Sequence, residues 1–253
     1  MASAIVHGLI AAGTAPSDIL VSDRDDAKLA AFAGEGINTG SNADAVKFGD
    51  TLILAVKPNI VSTVLSETAE LMNDKLVISI AAGISIEYIK SYTGQNVRVV
   101  RTMPNTPALV GMGMTAISYE APVTDADVEC VNGIFSALGR TVIISEKLMD
   151  AAVAVSGSGP AYVFMLIDAM ADGAVKEGLT RDAGIMMAAQ TVMGAAKMVL
   201  ETGKHPAELK DMVCSPGGTT IDAVNVLEDR GLRAAVIKAM ESCADKSRRL
   251  SGK

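Results

Sequence analysis

The chain has 253 residues, enough for a sizeable core and for one domain or two. Hydrophobic residues make up 49% while aromatics make up 3% and tryptophan is absent, which predicts a core of small aliphatics and methionine with many closely packed helices. A formal net charge of -7 without any basic cluster argues against a general nucleic-acid binder and favours small-molecule chemistry. Residues 2–12 carry Ile5, Leu9 and Ala12 at helical spacing, with Ser3 placed to cap and Gly13 to stop the run. Ile19-Leu20-Val21-Ser22-Asp23 then reads as a strand ending in an acid. A helix feeding such a strand is the second half of a mononucleotide-binding βαβ unit, whose first strand and glycine loop are not in the given sequence.

Beyond Gly13, strand-like runs at 19–21, 37–39, 51–56, 76–80 and 97–101 alternate with helical patterns near 25–33, 43–48, after Pro58 and near 85–92. This alternation predicts a parallel sheet covered on both faces. Runs at 115–119 and 141–145, flanking a helix near 126–138, are expected to extend it. From Lys147 the strand signal stops and helical patterns take over, with breaks expected at 157–160, 178–180, 203–206, 215–218 and Gly231. The reading is an α/β domain over residues 1–146 followed by an all-helical domain over 147–253, closely packed because no linker composition separates them.

Cys130, Cys214 and Cys243 are odd in number, far apart and form no CxxC pair, which fits a reducing cytosol better than a disulfide framework. His7 and His205 sit on unrelated segments without a supporting cluster, so no metal site is expected. No secretory signal follows Met1. The most apolar stretch, 184–200, contains Gln190, Thr191 and Lys197 and reads as too short and interrupted for a membrane span. A helix apolar nearly all round must be covered on several sides, so burial in an oligomer is expected.

Candidate chemistry gathers at strand ends and helix starts. Asp23 stands where a dinucleotide-binding fold places an acid on the adenosine ribose, or it simply begins the next turn. Arg24 beside it can instead take a 2′-phosphate, so NADH and NADPH both stand. Ala55-Val56-Lys57-Pro58 and Ala81-Ala82-Gly83 are two small-residue strand ends that let backbone approach a ligand in a shared groove. Arg101-Thr102-Met103-Pro104-Asn105-Thr106-Pro107 is a rigid loop serving either a ligand or a turn. Ser156-Gly157-Ser158-Gly159-Pro160 reads as a Gly/Ser loop running into a helix, open to something flat. Ser215-Pro216-Gly217-Gly218-Thr219-Thr220 opens a helix whose free N–H groups suit a carboxylate, unless Thr219 or Thr220 caps it. No Ser/His/Asp or Cys/His arrangement and no carboxylate pair at a catalytic spacing is apparent, and such poverty in acid–base groups suits hydride transfer.

With "LAVKP", "MPNTPALVG", "SGSGPAY" and "SPGGTT" in this order, the sequence resembles the pyrroline-5-carboxylate reductases over essentially its whole length. The resemblance implies a Rossmann-type doubly wound sheet followed by a helical domain that interlocks with a second subunit, as a homodimer that can build a larger ring. It implies reduction of a cyclic imino acid to L-proline by NADPH or NADH in the cytoplasm, without nucleic acid or membrane as partner. Asn42 matches a residue near the cofactor's ribose and phosphate, Ala55, Val56, Lys57 and Pro58 an adenosine-side wall, and Ala82 a nicotinamide-end contact. Ser215, Gly217, Gly218 and Thr219 match the loop that holds the substrate carboxylate, and Thr220 a hydroxyl near the imine nitrogen, the expected catalytic side chain. Met1-Ala2-Ser3-Ala4 aligns with the end of the family's glycine-rich loop, which assigns Met1 and Ala2 to the cofactor. The family's first strand lies between strands two and four, so its absence is expected to leave two inner edges unpaired. A start site placed late at an internal methionine is the expected cause, with a truncated, non-catalytic oligomerising homologue as the rival. β-Hydroxyacid dehydrogenases share the two-domain plan, but their catalytic lysine has no counterpart in "SGSGPAYVFMLIDAM".

Overall fold

The computed structural model describes residues 1–250, which divide into two compact units. The first comprises Met1–Ser158 with the C-terminal segment from Cys243, and the second comprises Gly159–Ser242. In chain order the first unit runs α1 (Ala2–Ala11), β1 (Leu20–Val21), α2 (Asp26–Gly34), β2 (Asn38–Thr39), α3 (Asn42–Phe48), β3 (Thr51–Leu54) and α4 (Pro58–Thr68). It continues with β4 (Leu76–Ser79), α5 (Ile86–Thr93), β5 (Arg98–Met103), β6 (Gly113–Tyr119), α6 (Asp125–Ser136), β7 (Gly139–Ile143) and α7 (Met149–Ala152).

Five strands form a sheet in the order β3-β4-β5-β6-β7. Strand β4 is buried at every position, the mark of a central strand covered on both faces. Val77 and Val99 point into one core with Val61, Leu65, Ile86 and Ile89 from α4 and α5. Ile78, Val100 and Ile117 point into the other with Phe135 and Val131 from α6 and Ile5 from α1. The expected all-parallel sheet needs one correction, because β6 runs antiparallel to β5. Their connection spans only residues 104–112, with a 3-10 turn at Thr106–Val110, and a parallel return needs a dozen or more residues.

Strands β1 and β2 form a separate parallel pair. No ladder joins them to β3, so the edges expected to be unpaired are separate sheet edges here. Helix α1 packs against both sheets, placing Ile5 in the core of the larger one and Val6 with Phe32 and Ile37 beside the smaller. Ser3 lies within α1 rather than capping it, since the helix begins one residue earlier, with Met1 at the N-cap position and no side-chain cap.

Side-chain caps fix the other helix starts. Asp25 accepts N–H bonds at the head of α2, Ser41 and Asp44 form a reciprocal capping box on α3, and Ser85 caps α5. On α6 the box is Thr124 and Asp127, and Asp127 also pairs with Arg98 of β5. Burial pushes the Asp127 carboxyl up, but the bonds from Thr124 and the Arg98 charge outweigh it and hold the group below its ordinary value. A depressed folded-state pKa stabilises the protein above the unfolded value near ~3.9, and that contribution is lost as the pH falls through the folded value. Asp127→Asn is therefore expected to lower stability by about 1–2 kcal/mol at neutral pH, with the gap to wild type closing below about pH 4. Urea unfolding at the two pH values checks it, and a pH-independent gap contradicts the assignment.

The second unit is helical. α8 (Gly159–Lys176) and α9 (Arg181–Thr202) form a hairpin, followed by α10 (Pro206–Val213), α11 (Thr219–Asp229) and α12 (Leu232–Leu250), whose last residues from Cys243 belong to the first unit. Gly184 lets the hairpin close tightly, because a Cβ there would stand 3.0 Å from the Ala174 methyl and 3.2 Å from the Ala171 carbonyl oxygen. Few hairpin side chains are covered otherwise. Phe164, Met165, Met186 and Met187 are all more than half exposed. The expectation that the apolar stretch is too short for a membrane needs correction. Capped by Thr180 and ended by Gly203, α9 reaches 22 residues, and it and the helical run 146–176 are long and apolar enough to cross a bilayer by length and composition.

Candidate cofactor and substrate sites

Parallel pairing aligns Leu54 with Ser79, so the chain leaves β3 and β4 side by side at one sheet edge, tied by the Ile80 N–H to the Leu54 carbonyl at 3.2 Å. Ala55, Val56, Lys57 and Pro58 follow one strand, and Ala81, Ala82 and Gly83 the other. Pro58 opens α4 behind an uncapped Lys57, where its missing N–H is no loss. Ala81 is buried and Ala82 exposed, and Gly83 turns the chain with φ 78°. The structure thus sets the four residues expected to form the adenosine-side wall at the same sheet edge as Ala82, expected at the nicotinamide end. Their small side chains leave backbone accessible, which fits a flat dinucleotide at the carboxyl ends of the strands.

At the end of β1, Ser22 donates to the Asn42 side-chain oxygen at 2.9 Å, joining Asn42 at the head of α3 to the segment that carries Asp23 and Arg24. Asp23 accepts the Asp25 N–H at 3.0 Å and the Lys28 ammonium at 3.3 Å, so it shapes the turn while remaining partly exposed. Met1 and Ala2 head α1, whose first N–H groups have no side-chain cap. Uncapped amides at a helix start suit a pyrophosphate, so these two residues also fit the cofactor's chemistry.

The Gly/Ser stretch is not the expected loop. Val153–Gly157 forms a π turn between α7 and α8, closed by the Ser158 N–H to the Val153 carbonyl at 2.8 Å. Pro160 has no N–H for the Ser156 carbonyl, and Asn105 supplies one from its side-chain amide at 3.0 Å while accepting the Met114 N–H at 2.9 Å. Asn105 therefore anchors the rigid loop to the π turn, a structural role for that motif. π turns of this kind accumulate at functional sites.

Two positioning residues escaped the sequence reading. Arg101 is 2% exposed and donates to Glu146 at 3.2 Å, and the same Glu146 oxygen accepts the Ile86 N–H at 2.8 Å. This pair holds the start of α5, just after the turn that carries Ala82. An arginine inside the apolar run Val99-Val100-Arg101 was the available signal, since a buried guanidinium needs a carboxylate. A polar recess of about 370 Å³, lined by Ser85, Glu87, Glu120, Ser145, Glu146 and Lys147, lies beside this pair and contains none of the expected site residues. No group of three or more His, Cys, Asp or Glu side chains able to hold a metal occurs among the described residues.

In the helical unit, Ser215, Gly217, Gly218, Thr219 and Thr220 come together at the head of α11. Gly217 adopts φ 67°, which favours glycine, and a Cβ on Gly218 would stand 2.3 Å from the Ser215 hydroxyl and displace it. Gly218 occupies the N-cap position and gives no side-chain bond, so Thr219 and Thr220 do not cap the helix. The helix start thus presents uncapped N–H groups with the Thr220 hydroxyl in the first turn, chemistry that suits an anion.

Parallel strands ending in small residues, followed in the chain by a helical unit, are the plan of a nicotinamide-dependent oxidoreductase of Rossmann type. Residues 146–250 match the family described as pyrroline-5-carboxylate reductase dimerisation, and residues 1–83 match that described as NADP oxidoreductase, coenzyme F420-dependent. The chain is 51% identical to the pyrroline-5-carboxylate reductase of Escherichia coli (strain K12) over 99% of its own length and 95% of that protein, and 46% identical to that of Methanosarcina acetivorans over 100% and 95%. Among solved structures it is similar to the Coxiella burnetii pyrroline-5-carboxylate reductase at 37% identity and TM-score 0.94, covering 99% of this chain and 94% of that one. It is similar also to the Plasmodium falciparum pyrroline carboxylate reductase with NADP bound, at 33% identity and TM-score 0.89, covering 98% and 94%. The chain belongs to the pyrroline-5-carboxylate reductase family.

Proposed function

We propose that the protein reduces 1-pyrroline-5-carboxylate to L-proline with NADH or NADPH, the last step of proline biosynthesis. The single observation that carries this reading within the structure is the uncapped start of α11, shaped by Gly217 and Gly218 and followed by a free hydroxyl. The reduced nicotinamide, when bound, supplies the hydride that adds to the carbon of the C=N bond. Ser215, Gly217, Gly218 and Thr219 hold the substrate carboxylate through backbone N–H groups and hydroxyls. Thr220 faces the imine nitrogen, which carries a proton before the hydride arrives and becomes the amine afterwards. Positioning and electrostatics supply most of the acceleration, consistent with a site poor in titratable side chains.

Met1, Ala2, Asp23, Arg24, Asn42, Ala55, Val56, Lys57, Pro58 and Ala82 form the cofactor side. The α/β domain is assigned to residues 1–146 and the helical, dimerising domain to 147–253. A homodimer covers the exposed faces of α8 and α9, which supports a second copy of the chain rather than a bilayer or nucleic acid as their partner, and such dimers can assemble further into a ring. The site is a cytoplasmic one.

The test is to incubate the purified full chain with the cyclic imine and each reduced cofactor, measuring cofactor oxidation and L-proline formed. Equal amounts of both are expected, from a species whose mass by light scattering is a dimer or a multiple of it. A folded, cofactor-binding protein that forms no proline overturns the assignment.

A further inference from the structure

The corner at the end of β1 holds carboxylates in excess of free donors, and we infer that Asp23 makes the adenosine site select NADH over NADPH. This rests on the dinucleotide-dependent reading above and deepens it. In this fold an acid at the end of the second strand of the βαβ unit accepts from ribose hydroxyls, whereas a 2′-phosphate needs an uncommitted cation or a set of free donors.

Apart from Arg24, the donors near Asp23 are committed. Lys28 lies 3.3 Å from an Asp23 oxygen and 3.8 Å from an Asp25 oxygen. The Asn42 side-chain amide donates to Glu67 at 3.1 Å, and the Ser22 hydroxyl is spent on Asn42. The head of α2, an obvious place for an anion, is filled by Asp25, which accepts the Ala27 and Lys28 N–H groups. Asp23 and Asp25 thus share Lys28 while Glu67 takes the Asn42 amide, leaving carboxylates in excess at the corner. Arg24 is exposed and has no ion-pair partner among the described residues, so it is an open cation, and it stands beside the Asp23 and Asp25 carboxylates. Asp23 stays ionised, since the Asp25 N–H and Lys28 outweigh the upward push of burial. A ribose diol meets an acceptor here; a phosphate dianion meets several like charges.

The experiment titrates the full chain with NADH and NADPH, following nicotinamide fluorescence and heat of binding, without substrate. NADH is expected to bind at least about tenfold more tightly. Asp23→Ser keeps a small acceptor for the Asp25 N–H, releases Lys28, and is expected to bring the ratio to parity or invert it by weakening NADH and strengthening NADPH. Arg24→Ala removes an exposed cation beside Asp23 and is expected to weaken NADPH binding more than NADH binding. Wild-type protein binding NADPH as tightly as NADH, or an Asp23→Ser variant with the wild-type ratio, overturns the inference while leaving the oxidoreductase reading intact. A folded chain that binds neither nucleotide overturns that reading and this inference with it.

Discussion

Gly139→Ala is expected to lower stability by roughly 3–5 kcal/mol, the sum of a strained backbone and an overpacked contact. Gly139 opens β7 with φ 146°, a conformation that L side chains rarely adopt. A Cβ placed there would stand 2.1 Å from the Gly113 carbonyl oxygen and 2.5 Å from the Gly113 nitrogen. Both are backbone atoms, so no side chain can swing away to relieve the overlap. The close approach also lets Gly113 N–H reach the Leu138 carbonyl at 2.8 Å and begins the register that pairs β6 with β7 as far as Ile117 and Ile143. Ile117 is fully buried in the same core as Val100 and Phe135, so displacement of β6 opens the sheet's interior. At this chain length the thermal midpoint is expected to fall by roughly 10 °C. Gly133→Ala is the control, since Gly133 is exposed within α6 and a Cβ there meets nothing within 4 Å. That change is expected to gain about 0.5–1 kcal/mol. Equal midpoints for the two variants would show that the Gly113–Gly139 approach is looser than described.

The fold was legible where local chemistry decides it. The helices expected near 43–48, 85–92 and 126–138 are present, and Ser41, Ser85 and Thr124 fix their starts by satisfying orphan N–H groups. The run at 76–79 reads as a strand because a central strand needs apolar residues on both faces. What stayed hidden depends on partners distant in sequence. The π turn at 153–157 looks like a flexible loop until Asn105, 51 residues away, is seen to take the carbonyl that Pro160 cannot. Likewise Glu146 is 45 residues from Arg101, and no periodicity connects them. The reversal of β6 follows from a short connection whose turn has to be seen.

The candidate site divides along the same line. Ala55 and Ala82 were legible as strand ends, and the register of β3 with β4 makes them neighbours. At Ser215–Thr220 the sequence left two readings, a capped helix or an anion site, because the pattern does not fix which residue stands at the N-cap. Gly218 at the N-cap with no side-chain bond decides for open N–H groups. Asp23 was likewise ambiguous between a turn and a ribose contact, and its two oxygens with different partners allow both.

Thr220→Val is expected to reduce kcat by roughly one to two decades, corresponding to a hydrogen bond to a charged group worth about 1.5–3 kcal/mol. Valine keeps the shape and branching of threonine and removes the hydroxyl alone. The fold should survive, because α11 is headed by Gly218 and the Thr220 hydroxyl makes no hydrogen bond among the described residues. As hydride adds to the imine carbon, the nitrogen changes from a cationic donor into an amine with a lone pair. A hydroxyl is suited to that change, since it accepts from the one and donates to the other. Its contribution grows along the reaction, so kcat is expected to fall while KM, set largely by the carboxylate at Ser215–Thr219, moves little. Thr220→Ser retains the hydroxyl and is expected to stay within a few fold of wild type. Steady-state kinetics of the three proteins, with circular dichroism as a check on folding, separate the roles. If Thr220→Val keeps wild-type turnover, or if serine and valine are equally impaired, the hydroxyl is not the group that meets the imine nitrogen, and the proton must be managed by solvent.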